Sequence, residues 1–176
     1  MCYHIKVSKE SQLERNNRFD KKEGNQSTIN NLLSKTDLPI YHASGFQHPK
    51  VFIFTNEDPH FPIVAQWGLV PDWVSSEQQK NELWNKTLNA RSEGIFEKPS
   101  FKKAAQEQRC IIYLDGFYEY HYFKGKTYPY FIYKKDKKPL AVGGLYSVWI
   151  HHKTQEEITS FSMVTTKGND FMATIH

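Results

Sequence analysis

The sequence predicts an α+β chain, one domain over residues 1–176, with a mainly antiparallel sheet or barrel-like core and helices at its periphery. Three observations predict it. The second half is a succession of β-branched and aromatic runs broken by short polar turns, the pattern of an antiparallel sheet. The few helix-like segments are short and lie between strands. A length of 176 residues with 39% hydrophobic and 15% aromatic content is enough for one substantial core.

Taken in order, residues 2–7 alternate loosely and read as a short strand. Residues 8–18 are polar helix formers, with Ser8 or Ser11 as N-cap. Residues 20–28 (DKKEGNQST) are the most loop-like stretch, and 38–47 are irregular, punctuated by Pro39 and Gly45. Strands follow at 51–55 and 61–70, then a helix over 75–88 with Leu83 and Trp84 on its apolar side. Pro99 signals a second short helix over 100–106. Residues 109–114 form a strand. Residues 117–123 lead through Lys124-Gly125-Lys126 into 128–134, a hairpin signal. Two further strands cover 140–150 and 158–165, and 169–176 opens a final helix.

The bulk numbers exclude several classes. No apolar run is long enough to cross a bilayer, and no apolar segment follows a basic N-terminus as in a secretory leader. The two cysteines, Cys2 and Cys110, lack the spacing of a zinc knuckle or a disulfide framework, which fits a reducing cytoplasm. A metal site from Cys2, Cys110, His151 and His152 is disfavoured, because adjacent histidines on a strand point to opposite faces. No metal and no cofactor is expected. A net charge of +4 permits an acidic partner such as nucleic acid, and fourteen tyrosines and tryptophans offer stacking faces for unpaired bases. The same residues also serve as ordinary sheet and core side chains.

The chemistry concentrates at Met1-Cys2. Removal of Met1 would leave one residue with an α-amine of ordinary pKa about 7.7–8.0 and a thiol of about 8.5. A 1,2-aminothiol condenses with an aldehyde to a Schiff base, and its thiol then closes on the same carbon as a thiazolidine. Four other stretches place polar groups in segments that otherwise look buried. WGLVPDW (67–73) sets two indoles around a glycine and a proline. NARSE (89–93) groups an amide, a guanidinium and a carboxylate at a helix end. GFYEY (116–120) puts Glu119 in an aromatic strand, and TIH (174–176) ends on an imidazole. Each alone is compatible with a structural role.

In order and together, these five stretches resemble the SOS-response-associated peptidase family, whose members cross-link to abasic sites in single-stranded DNA. The resemblance implies that Met1 is removed and that Cys2 captures the ring-opened sugar aldehyde. Asn89 would orient the backbone and amine of Cys2, while Glu119 and His176 handle protons. Arg91 would grip a flanking phosphate. Trp67, with Trp73 as the weaker candidate, would stack on a neighbouring base. Where the family commonly has Gly-Arg after the cysteine, this chain has Tyr3-His4, so His4 becomes a titratable DNA-binding group in place of a permanent cation. The family's Tyr-Asn-x-Ala-Pro stretch is matched only loosely by YHASG (41–45), and the family's Arg-Met-Pro run after the histidine is not present. The implied partner is single-stranded DNA containing an abasic site, with no membrane involved, and a monomer suffices. Two other readings use the same residues: an N-terminal-nucleophile cysteine peptidase or amidohydrolase acting on peptides, and a reversible single-stranded DNA-binding module.

Overall fold

The structure is a computed structural model that describes residues 2–19 and 26–175. In chain order its elements are β1 (His4–Val7), α1 (Lys9–Phe19), α2 (Gln26–Leu33), β2 (Ile40–Ser44), β3 (Lys50–Thr55), β4 (Ile63–Trp67), α3 (Glu77–Trp84) and β5 (Asn89–Arg91). There follow α4 (Pro99–Glu107), β6 (Arg109–Leu114), β7 (Gly116–Phe123), β8 (Lys126–Ile132), β9 (Leu140–Ile150), β10 (Glu157–Thr165) and α5 (Asp170–Ala173).

Strands β4, β3, β6, β9 and β10 are successive antiparallel neighbours, and a parallel pairing of β10 with β4 closes them into a five-stranded barrel. That closure is short: Ser160 faces Gln66 and Phe161 faces Trp67. β10 then runs on past the end of β4, and the same edge takes up β5, with Met163 facing Asn89 and Thr165 facing Arg91. A second, four-stranded sheet has the order β2-β1-β7-β8. Apolar side chains from the barrel interior and from β1 form one core that includes Ile5, Val51, Ile53, Trp67, Ile112 and Phe161.

The two sheets meet at Asp115, the single residue between β6 and β7. Its N–H donates to the Lys6 carbonyl at 3.1 Å. Its carboxylate accepts from Ser8 Oγ at 2.7 Å and also from Ser11 Oγ. Ser8 in turn accepts from the Ser11 N–H at 3.1 Å, so it caps α1. Gly116 is required at this joint, because a Cβ would collide with the Ile132 carbonyl. Gln12, fully buried, bridges β6 and β3: its Nε2 donates to Tyr113 O at 2.6 Å and its Oε1 accepts from Phe52 N at 2.5 Å. It satisfies main-chain groups where β3 and β6 pair only at Phe54–Ile111 and Thr55–Cys110.

Several boundaries differ from the sequence reading, each for a local reason. β2 was not expected, because Ile40 is its only fully buried residue and it shows no alternation. α2 was also missed: QSTINNLL offers little apolar periodicity, and the expected loop at 20–28 overlaps it at 26–28, residues 20–25 lying outside those described. NARSE was expected at a helix end and instead forms β5 and a 3-10 turn, Ser92–Gly94, because its main chain is recruited by β10. The helix at 75–88 is trimmed to Glu77–Trp84 by its Ser76 cap, which accepts from Gln79 N at 3.2 Å. The hairpin turns at Lys124-Gly125, both with positive φ (48° and 76°), the two-residue turn that suits strand twist.

Candidate functional site

The site is assembled from both sheets. Tyr3 pins the segment between Cys2 and β1: its carbonyl accepts from Gly45 N at 2.8 Å and its ring stacks on Phe46 with centroids 5.5 Å apart. β1 pairs with β7 in a register that sets Ile5 opposite Phe117 and His4 opposite Tyr118. Strand alternation therefore turns Ile5, Phe117 and Glu119 towards the core and His4, Tyr118 and Tyr120 away from it. The barrel supplies the other side, since the β5–β10 pairing brings Asn89 and Arg91 beside Thr165.

Asn89 Nδ2 donates to the Cys2 carbonyl at 2.8 Å, a bond between residues 87 apart in sequence. Cys2 lines a cleft of about 600 Å³ that it shares with Arg91, Phe117, Met163, Thr165 and Lys167. Thr165 Oγ1 on its wall and Asn89 Oδ1 behind Cys2 are buried without a hydrogen-bond partner. Glu119 is buried at 7% exposure. Burial pushes the Cys2 thiol up to about 12, and the Glu119 carboxylate adds to the effect by disfavouring a second negative charge. The rim is held by Glu93, whose Oε1 accepts from Lys167 N at 2.9 Å. Main-chain hydrogen bonds at Glu93 itself and at Lys167 hold that carboxyl below its usual range.

His4 stacks on His42 (centroids 4.9 Å, 11° between planes) and meets Tyr120 edge-on at 5.1 Å. Its ring is held below the usual histidine range, first by burial and then by His42, with Glu119 opposing. The sign follows: a fold that prefers neutral His4 has its full stability above the unfolded value of about 6.5 and loses it as pH falls through the folded value. The melting temperature should therefore drop between pH 7.5 and 5 more in the wild type than in His4→Gln. Equal drops in a thermal scan would refute this.

Of the expected DNA-contacting residues, Arg91 is exposed on the cleft and His4 lies on the outward face of β1, two residues after Cys2. Trp67 requires correction. It is fully buried, its Nε1 donates to Leu88 O at 2.8 Å, and its ring stacks on Phe161, so no face is left for a base. The last residue of β4 points into the barrel. Trp67→Ala should cost about 3–5 kcal/mol in urea denaturation. Trp73, six residues on, is 46% exposed and lines a separate depression with Pro99, Lys102 and Lys103. Trp73→Ala should stay within about 0.5 kcal/mol of wild type.

His176 lies outside the described residues. The residue before it is placed: Ile175 is buried, and its carbonyl accepts from His121 Nδ1 at 2.7 Å, which brings the end of the chain to β7 two residues beyond Glu119. Sequence reasoning missed His121, Thr165, Lys167 and Asn169, the last three lining the cleft. The only local signal was a polar TTKGN stretch straight after a strong β run. Cys110 sits in the barrel core, where burial pushes its thiol up, and His151 faces Glu77 at 3.9 Å. Among the described residues no three His, Cys, Asp or Glu side chains converge as metal ligands, and no helix is long and apolar enough to cross a membrane.

This arrangement is similar to known proteins. The family model described as SOS response associated peptidase (SRAP) matches residues 1–176. The abasic site processing protein YoaM of Bacillus subtilis is 38% identical over 112 residues, 63% of this chain and 47% of that protein. The abasic site processing protein HMCES of Xenopus tropicalis is 30% identical over 129 residues, 63% of this chain and 38% of that protein. The chain thus spans about half or less of these relatives. A crystal structure of a protein from Bacteroides thetaiotaomicron superposes with a TM-score of 0.84 at 32% identity, covering 99% of this chain and 72% of that one. One from Bordetella bronchiseptica, at 23% identity and a TM-score of 0.71, shares the fold.

Proposed function

The chain belongs to the SOS response associated peptidase family, and from that premise we propose that it captures abasic sites in single-stranded DNA as a thiazolidine on Cys2 once Met1 is removed. The observation that carries this reading is the placement of Cys2 in the cleft with its carbonyl held by Asn89. The names of its relatives, abasic site processing proteins, point to the same substrate.

The chemistry proceeds as follows. Hydrolysis of the Met1-Cys2 bond frees the Cys2 amine, which adds to the aldehyde carbon of the opened sugar to give a carbinolamine. The Glu119 carboxylate takes the proton that the Cys2 ammonium sheds as it adds and passes it to the carbinolamine hydroxyl, which leaves as water, and the nitrogen lone pair forms the iminium. The thiol is protonated at neutral pH, since burial and Glu119 raise its pKa to about 12. Glu119, again a carboxylate, takes that proton as sulfur adds to the iminium carbon. The net change is aldehyde plus protonated aminothiol to thiazolidine plus water and one proton, which Glu119 passes to solvent. Asn89 Oδ1, buried and unpartnered, accepts from the new amine while Nδ2 holds the carbonyl. His176 exchanges protons with the sugar oxygens during ring opening. Arg91, His4 and Trp73 contact flanking nucleotides of the single strand.

Peptidase activity is confined in this reading to the removal of Met1. Multiple turnover on other peptides would replace it. The test is intact-protein mass spectrometry before and after incubation with an oligonucleotide carrying one abasic site. Expected are loss of Met1 and a species equal to protein plus oligonucleotide minus one water; a processed protein that forms no such species would overturn the proposal. Asn89→Ala should slow capture at least tenfold more than it weakens noncovalent binding of the strand. Equal losses in the two assays would remove its positioning role.

A further inference from the structure

The hairpin of β7 and β8 reaches beyond the core and carries more exposed ring surface than any other part of the described chain. On its core-side face, continuing the row that begins with Phe117 and Glu119, stand His121 and Phe123 on β7, opposite Tyr128 and Lys126 on β8. Tyr130 stands opposite Glu119. Phe123, Tyr128 and Tyr130 are 51%, 44% and 46% exposed. They are arranged as steps: His121 stacks on Phe123 with centroids 6.1 Å apart and 16° between planes, and it meets Tyr130 edge-on at 6.3 Å. Lys124 Nζ lies 5.2 Å from the Phe123 ring centre. The first residue of the row, Phe117, lines the Cys2 cleft, so the steps lead out of it.

We infer that this ledge of Phe123, Tyr128 and Tyr130, edged by Lys124 and Lys126, binds the nucleotides that flank the one held at Cys2. The inference rests on the capture reading and extends it to the path of the strand. Three observations select a single-stranded nucleic acid as occupant. Stacked rings interleaved with cations are the means by which proteins hold unpaired bases and their phosphates without reading sequence. Residues 124–138 contain six lysines against one acid, Asp136, which suits a polyanion and repels a second copy of this chain. β8 is an edge strand, but Pro129 removes a donor from it and the lysines charge it, so it is blunted against strand-to-strand pairing. From Glu119 to Phe123 the ledge runs roughly 13 Å, the span of about four stacked nucleotides.

The experiment compares noncovalent binding of two oligothymidylates carrying a nonreactive tetrahydrofuran abasic analogue, one with a single flanking nucleotide per side and one with five. The wild type is expected to bind the longer one more tightly. Phe123→Ala and Tyr128→Ala should each weaken the longer by about tenfold, with the loss confined to it. Lys124→Gln combined with Lys126→Gln, which removes no packed ring, should make the salt dependence shallower by about 1.4 in log–log slope. Wild-type affinity for the longer strand in all variants, equal losses on both strands, or a change only in oligomeric state would each overturn the ledge. Covalent capture of a short reactive oligonucleotide by the wild type is scored separately. Its failure would remove the Cys2 reading, whereas a length-dependent loss in the ring variants would still support the ledge.

Discussion

Cys2→Ala is expected to abolish the DNA adduct completely while leaving the fold and the noncovalent affinity near wild type. The alanine variant keeps an α-amine after removal of Met1, so a Schiff base can still form, but no second nucleophile exists to trap it. Its adduct should therefore appear only under borohydride reduction and vanish on gel electrophoresis without it. The size of the effect comes from the ring closure. Intramolecular attack by a thiol already held on the same residue gains an effective molarity of about 10⁵ M or more over an external thiol. The side chain is small and only partly buried, so its loss of one sulfur should not unfold the protein. A Cys2→Ala adduct that survives denaturation without reductant would exclude the thiazolidine.

Glu119→Gln is the second large effect, and it should push two readouts in opposite directions. Glutamine cannot carry the proton that expels water from the carbinolamine, so capture should slow by about 10²–10⁴-fold. At the same time, loss of the carboxylate removes a like charge that helps to push the Cys2 thiol up to about 12. With that contribution gone, the thiol pKa falls, more thiolate is present at pH 8–9, and alkylation by iodoacetamide should become faster. Cys110, buried in the core, serves as the internal control. A merely structural Glu119 would lower both rates or neither. Slow capture with unchanged or slower alkylation would argue that the substitution acts by distorting the cleft.

Much of this organisation was legible in the residues. The β-rich second half, the turn at Lys124-Gly125 and the start of α4 at Pro99 follow from local rules of alternation, turn chemistry and helix starts, which need no knowledge of distant partners. So did the grouping of Cys2 with Asn89 through resemblance. What local rules could not show is which of two similar side chains a strand buries. Trp67 and Trp73 look alike in WGLVPDW, yet one ends β4 pointing inward and the other lies in the turn beyond it. Nor could they show Lys167 meeting Glu93, 74 residues apart, because that contact depends on β10 taking β5 along the edge it first shares with β4. β2 escaped notice for a related reason: an edge strand with one buried residue carries no period, and with it went the stacking of His42 on His4.

The joint at Asp115 has a further consequence. The residue proposed to react hangs from the four-stranded sheet, whereas Asn89, which holds it, is mounted on the barrel. The working parts thus belong to two sheets that share one core, and at the site the Asn89 amide spans them. In mechanical terms the site is a latch across a seam, and a latch can slip without breaking either panel. Heating should therefore inactivate in two stages. Fluctuations that part β1 from its neighbours will disengage Cys2 while the barrel is still intact, so capture will fail at a lower temperature than the cooperative melting of the chain.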